Sequence, residues 1–129
     1  MAIQQITHIS VYVKDQDDAL AWYQDKLGLV LCEDNSELVP NFRWLTVSPE
    51  NDKSTQIIIM PTQKPEDEAR IGNNPMCVLR VEDCRKDCEQ FKLRGVNIID
   101  PPMEMPWGIS AIIADLYGNP YNLVETRFV

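Results

Sequence analysis

A single imidazole, His8, is present among the 129 residues, so any histidine base, proton shuttle or metal ligand has to be built on it. It opens the run His8-Ile-Ser-Val-Tyr-Val13, in which His8, Ser10 and Tyr12 take one face of a strand and Ile9, Val11 and Val13 the other. The polar face is expected to line a cavity and the aliphatic face to lie beneath a helix. A hydrogen-bonded histidine without a chemical role satisfies the same pattern. Cys32, Cys77, Cys84 and Cys88 show no CxxC spacing, and with one histidine they compose neither a zinc knuckle nor a thioredoxin-like pair. Cys84 and Cys88 lie four apart with Phe91 three further on, the spacing of a buried helical face, and thiols used as apolar filler fit a reducing compartment.

Two tryptophans are candidate walls for a ligand. Trp44 stands in Phe42-Arg-Trp-Leu-Thr-Val47, where a core position is the alternative. Trp107 ends the proline-rich segment Pro101-Pro-Met-Glu-Met-Pro-Trp-Gly108, read as a loop at the mouth of a cavity. Large aromatics bury ligand surface at little entropic cost, and methionines repack around different shapes. The chain has no GxSxG elbow, P-loop or GxGxxG turn. Asp17 and Asp18 fall in the first turn of a helix, where the dipole accounts for them, and Glu66, Asp67 and Glu68 are expected to be solvated.

These residues must be positioned by alternating strands and helices. Thr7 to Val13 reads as a strand, Asp15 as the cap of a helix that stops at Gly28, and Leu29–Glu33, Phe42–Ser48 and Thr55–Met60 as three further strands. Residues 62–75 lose all period and read as a connector. The order then repeats, with a strand at Met76–Val81, a cap at Asp83, a helix at Cys84–Arg94 closed by Gly95, and strands at Val96–Asp100, Ile109–Ala114 and Pro120–Glu125. Laying His8 on Met76 brings Val13 onto Val81, Asp15 onto Asp83 and Tyr23 onto Phe91 without a gap, which marks an internal duplication. The expected fold is α+β, with two tandem βαβββ modules of about 1–61 and 76–129 in a single domain over 1–129, their mixed sheets cupped and paired around a cleft.

Composition excludes several partners. The formal charge is −8 and the twelve basic residues are scattered, so nucleic acid is a poor partner, while a cationic ligand is favoured over an anionic one. No stretch approaches the roughly 20 apolar residues that cross a bilayer, so no membrane partner is expected. The opening MAIQQITHIS lacks the pattern of a secretory signal, and a cytoplasmic location is the expectation.

The run Trp22-Tyr-Gln-Asp-Lys-Leu-Gly-Leu29 resembles the first-helix signature of the glyoxalase/bleomycin-resistance (vicinal-oxygen-chelate) superfamily. Asp115-Leu-Tyr-Gly-Asn-Pro120 is similar to that family's last hairpin, and Thr7 to Val13 to its opening strand. Phe42 to Val47 resembles the third strand of a subgroup poor in metal ligands. The resemblance implies paired βαβββ modules, a homodimer and, in the family's enzymes, a divalent metal. The metal positions would be His8, Gln56, Met76 and Asn122, of which Met76 and Asn122 depart from the usual His, Gln or Glu. A thioether and a neutral amide are poor ligands for a hard cation, so neither a cofactor nor a metal is expected. Glu125, three residues beyond Asn122, should point to the opposite strand face and be solvated or ion-paired.

The expectation is therefore a metal-independent small-molecule-binding protein that sequesters a cationic or aromatic compound, with His8, Trp44, Gln56, Trp107, Tyr121 and Asn122 at the ligand. The alternatives are a metal-dependent lyase, isomerase or dioxygenase of the same superfamily with His8 as base or ligand, and a purely structural, interaction role.

Overall fold

In a computed structural model the described residues are 2–126, and they fall into two compact units that divide between Ile71 and Gly72. The first unit holds β1 (His8–Val13), α1 (Gln16–Leu27), β2 (Val30–Val39), β3 (Phe42–Ser48), β4 (Gln56–Pro61) and a short α2 (Pro65–Glu68). The second holds β5 (Cys77–Arg80), α3 (Cys84–Leu93), β6 (Asn97–Met105), β7 (Gly108–Ala114) and β8 (Pro120–Thr126). Both sheets have one topology, β1-β4-β3-β2 and β5-β8-β7-β6, with the first and last strands of each unit parallel and the rest antiparallel. This is the α+β, twice-repeated βαβββ arrangement that the duplicated sequence pattern predicts.

Capping explains where the helices begin and end. The Asp15 carboxylate accepts from Asp18 N at 2.9 Å, and Asp83 accepts from Lys86 N at 3.1 Å, satisfying amides that have no partner within the helix. Gly28 closes α1 in the left-handed region at φ 70°. Each helix lies on one face of its sheet, over Val11, Val13, Leu45, Val47 and Ile59 in the first unit and over Ala111, Ile113, Tyr121 and Leu123 in the second, all essentially inaccessible to solvent. The buried cysteines Cys84 and Cys88 belong to this apolar layer. Burial pushes the Cys84 thiol up to about 12 and raises that of Cys88, so both stay protonated.

Arg43 ties three elements of the first unit together. Its Nε and one terminal nitrogen each donate to Asp34 on β2 at 2.9 Å, and the other reaches Asp17 on α1 at 2.7 Å. The bidentate hydrogen bond from Arg43 holds the Asp34 carboxyl below its ordinary pKa. Gln16 adds a second tie, its side-chain amide donating to the carbonyls of Arg43 and Ile59.

Several expectations are corrected. Strands β2 and β6 run on to Val39 and Met105, well past the expected ends at Glu33 and Asp100. Both are edge strands with irregular register, and an edge tolerates the polar and proline residues that erase the strand period. Pro101 to Gly108 is thus not a loop but the end of β6 and a two-residue turn, Pro106-Trp107, with Met105 opposite Gly108. Residues 62–75 are not a structureless connector, since α2 forms there behind Pro65 at its first turn, and the first unit extends to Ile71. Asp67 is buried rather than solvated, with Oδ2 accepting from Gln63 N at 3.0 Å. Met76 lies outside β5 and is largely exposed.

Two glycines hold positive-φ backbones, and at one of them a side chain would also be excluded sterically. A Cβ at Gly28 would meet nothing within 4 Å, whereas at Gly108 it would sit 2.0 Å from the Glu125 carbonyl oxygen across the β7–β8 pair. Gly28→Ala is therefore expected to destabilise by about 1 kcal/mol, the cost of the left-handed backbone. Gly108→Ala should cost roughly 3 kcal/mol by forcing the strands apart, and urea unfolding of both variants measures the difference. For Asp34, a folded-state pKa below the unfolded one gives stability that is complete above the unfolded pKa and is lost as pH falls through the folded value. Asp34→Asn should accordingly lower stability at neutral pH, by about 1 kcal/mol or less because solvent screens the pair, and the gap to the native chain should close on acidification. Thermal melts across an acid pH series check this.

Candidate functional site

Strand alternation leaves each sheet with a second face that carries no helix. In the first unit the parallel register sets His8 beside Gln56, Ser10 beside Ile58 and Tyr12 beside Met60, and Thr46 pairs with Ile58 from the other side. His8, Tyr12, Trp44, Thr46, Gln56, Ile58 and Met60 consequently share one face, opposite the aliphatic layer. The expected division of β1 into a polar face and an aliphatic, helix-side face is what the register produces.

His8 and Trp44 meet edge to face, their ring centres 5.2 Å apart at 68°. His8 Nδ1 shares a 2.8 Å hydrogen bond with Thr7 Oγ1, and Nε2 is buried without a partner among the described residues. If the Thr7 hydroxyl donates, Nε2 carries the hydrogen; if Nδ1 donates, Nε2 presents a lone pair. Either way one strong hydrogen-bonding atom is left unsatisfied, a state that costs about 1–3 kcal/mol when nothing meets it.

Gln56 is already engaged at both ends. Its Oε1 accepts from Thr46 Oγ1 at 2.7 Å, and its Nε2 donates to the Lys53 carbonyl at 3.2 Å. At the far end of the same face, Arg70 donates to the Tyr12 hydroxyl at 3.0 Å, with its guanidinium carbon 5.4 Å from the ring centre. Thr46 and Arg70 join this face in addition to the residues expected from the sequence. Thr46 was detectable from its alternation with Trp44, but Arg70 comes from residues whose sequence carries no period, and only the fold brings it to Tyr12.

In the second unit, Asn122 lies on the helix-free face beside Val78 and Ile112, and its Oδ1 accepts from Ser110 Oγ at 2.9 Å. Trp107 stands at the β6–β7 turn and is 37% exposed. Tyr121, expected at a ligand, instead faces the opposite way with Leu123 and Ile113 and is 0% exposed, so it belongs to the core beneath α3. The odd-even alternation that sets Asn122 on one face commits its neighbour Tyr121 to the other. Glu125 does point away from Asn122, and it is half-buried; its Oε1 accepts from Cys84 N at 2.8 Å and so caps the first turn of α3.

The β7–β8 turn shows why its sequence is so distinctive. Asp115 Oδ1 accepts from the amides of Tyr117 and Asn119, and Oδ2 from Asn119 Nδ2, each at 2.9 Å. Asn119 Oδ1 accepts in turn from Gly72 N at 2.8 Å. The whole cluster is a structural staple with both carboxylate oxygens engaged, not a ligand set.

The residues at the four metal positions do not fit a hard divalent ion. They supply one imidazole and no carboxylate, the amide oxygens of Gln56 and Asn122 are occupied by hydroxyl donors, and Met76 offers only a soft thioether. Among the described residues no three His, Cys, Asp or Glu side chains are grouped to share a cation.

The sequence profile of the Glyoxalase/Bleomycin resistance protein/Dioxygenase superfamily matches residues 5–123. An uncharacterized protein of Shewanella frigidimarina (strain NCIMB 400) is 32% identical over 126 residues, covering 95% of this chain and 93% of its own. Among solved structures, TnmS3, an antibiotic binding protein from Streptomyces sp. CB03234, superposes with a TM-score of 0.84 at 31% identity, covering 98% of each chain. A superfamily member from Sphaerobacter thermophilus DSM 20745 gives 0.83 at 31% identity over 97% of this chain and 99% of its own.

The Thr46–Gln56 bond generates a direct expectation. Thr46→Val keeps the shape but removes the donor from a buried position, and should lower stability by about 1–2 kcal/mol, measured by urea unfolding. Val47→Thr, on the aliphatic face, should cost more than Thr46→Val, because there the hydroxyl enters an apolar layer.

Proposed function

The chain belongs to the Glyoxalase/Bleomycin resistance protein/Dioxygenase superfamily, and we propose that within it the protein is a metal-independent binder of small molecules that sequesters its ligand without converting it. The observation that carries this reading is the buried, unpartnered Nε2 of His8, on a ring that meets Trp44 edge to face. A ligand that stacks apolar surface on Trp44 and offers one polar group to Nε2 would relieve the unsatisfied atom and bury the indole together. Gln56 acts here as a fixed amide and not as a free donor, because both of its ends are held. Asn122 and Trp107 are the corresponding ligand contacts offered by the second unit.

The formal charge of −8 favours a cationic or neutral aromatic compound over an anion. Likeness to TnmS3, an antibiotic binding protein, supports the same class of activity. The protein is further proposed to act as a homodimer, consistent with large apolar side chains such as Leu38 and Val78 being left exposed at 70% and 60%. The rival reading, a metal-dependent lyase, isomerase or dioxygenase, requires a hard-ion site that the donors at His8, Gln56, Met76 and Asn122 do not make.

Thermal melts against a panel of cationic drugs and aromatic metabolites test the proposal. At least one compound should raise the melting temperature of the native chain, and His8→Ala and Trp44→Ala should each weaken that effect about tenfold or more in affinity. Elemental analysis of protein purified without chelator should find no stoichiometric divalent metal. A bound metal that disappears in His8→Ala, or a complete lack of stabilisation at millimolar concentration, would defeat the reading.

A further inference from the structure

The second unit contains a groove of about 620 Å³ lined by Arg85, Cys88, Glu89 and Lys92 of α3 and, at and beyond the start of β6, by Val96, Asn97, Ile98, Pro101 and Pro102. The helical residues fall at i, i+3, i+4 and i+7, one continuous stripe that faces the strand. Opposite them β6 breaks its register with β7 twice, between Ile98 and Asp100 and between Asp100 and Met103. Pro101 and Pro102 lie within that irregular stretch and have no amide hydrogen to restore the ladder. The groove is therefore built into the edge of the sheet by the proline pair.

Its floor and rim differ in chemistry. Cys88 and Val96 are buried at 4% and 5% exposure, and Ile98 and Pro102 are half-buried, giving an apolar floor. Arg85, Glu89, Lys92 and Asn97 are exposed around it. The two cations and one carboxylate leave the rim at net positive charge in a chain whose overall charge is −8. Among the described residues neither Arg85 nor Lys92 is ion-paired.

We propose that this groove is a second small-molecule site, separate from the His8 face, and that it takes an amphipathic anion: an apolar body laid along Val96, Ile98 and Pro102, with a carboxylate or sulfonate held by Arg85 and Lys92. The volume lies within the usual range for such sites, and the charge preference is opposite to the one assigned to the chain as a whole. The proposal stands whether or not the His8 face binds a ligand.

Fluorescence titration of the full chain with 8-anilinonaphthalene-1-sulfonate, compared with the uncharged N-phenyl-1-naphthylamine, provides the test. The sulfonate should saturate at one molecule per chain and bind about tenfold tighter than the neutral probe, a difference of ~1.4 kcal/mol. The exposed double variant Arg85→Ala/Lys92→Ala should remove most of that preference without changing the melting temperature, and Asn97→Trp should block the groove to both probes. Trp44→Ala should leave sulfonate binding unchanged. Equal affinity for the two probes, no effect of the double variant, or loss of binding in Trp44→Ala would each overturn the proposal. It would also fail if the double variant bound normally but altered the sedimentation coefficient, since the groove would then be a contact between copies of the chain.

Discussion

The parallel pairing of β1 with β4, and of β5 with β8, is the constraint on which each unit depends. Parallel strands cannot be joined by a tight turn, and here α1 or α3 and two antiparallel strands lie between the paired ones. The helix settles on one face of the sheet and claims the aliphatic side chains there, so the other face is left with the polar and aromatic ones. His8 stands beside Gln56 for this reason, although 47 residues separate them. The same rule places Tyr121 in the core and its neighbour Asn122 on the helix-free face.

Polar side chains on these faces are mostly committed to one another. Thr46 holds Gln56, Ser110 holds Asn122, Arg70 holds Tyr12, and Asp115 with Asn119 staples the last turn. His8 has one nitrogen on Thr7 and the other buried and unmet, and on the second unit's face Thr126 Oγ1 is likewise buried without a partner among the described residues. Where neighbouring groups are satisfied, an isolated unsatisfied atom draws functional interest, because its cost is offset only by something from outside. The amides of Gln56 and Asn122 differ, since each oxygen already has a hydroxyl donor.

Internal duplication fixed a frame within which the two copies have diverged. Caps at Asp15 and Asp83, buried helix faces and strand order repeat, while the edge strands β2 and β6 carry their own irregularities. Edge strands pair on one side only, so irregular register there disturbs one ladder and not two. The groove along α3 and β6 lies in such a region, where Pro101 and Pro102 interrupt the ladder.

Local chemistry alone determined the helix caps, the stop at Gly28, the division of β1 into two faces and the repeat of strand, helix and three strands, because each rests on residues within a few positions of one another. The edge strands run further than their residue pattern implies, since polar residues and prolines hide the period wherever only one neighbour enforces it. Tertiary structure decided the rest: that α2 forms within residues 62–75 and buries Asp67, that Glu125 caps α3, that Tyr121 is core, and that Thr46 and Arg70 join the helix-free face. Those outcomes depend on partners tens of residues away, as with Cys84 and Glu125 or Tyr12 and Arg70. A residue's type limits which hydrogen bonds it can make, and only the folded chain selects the partner.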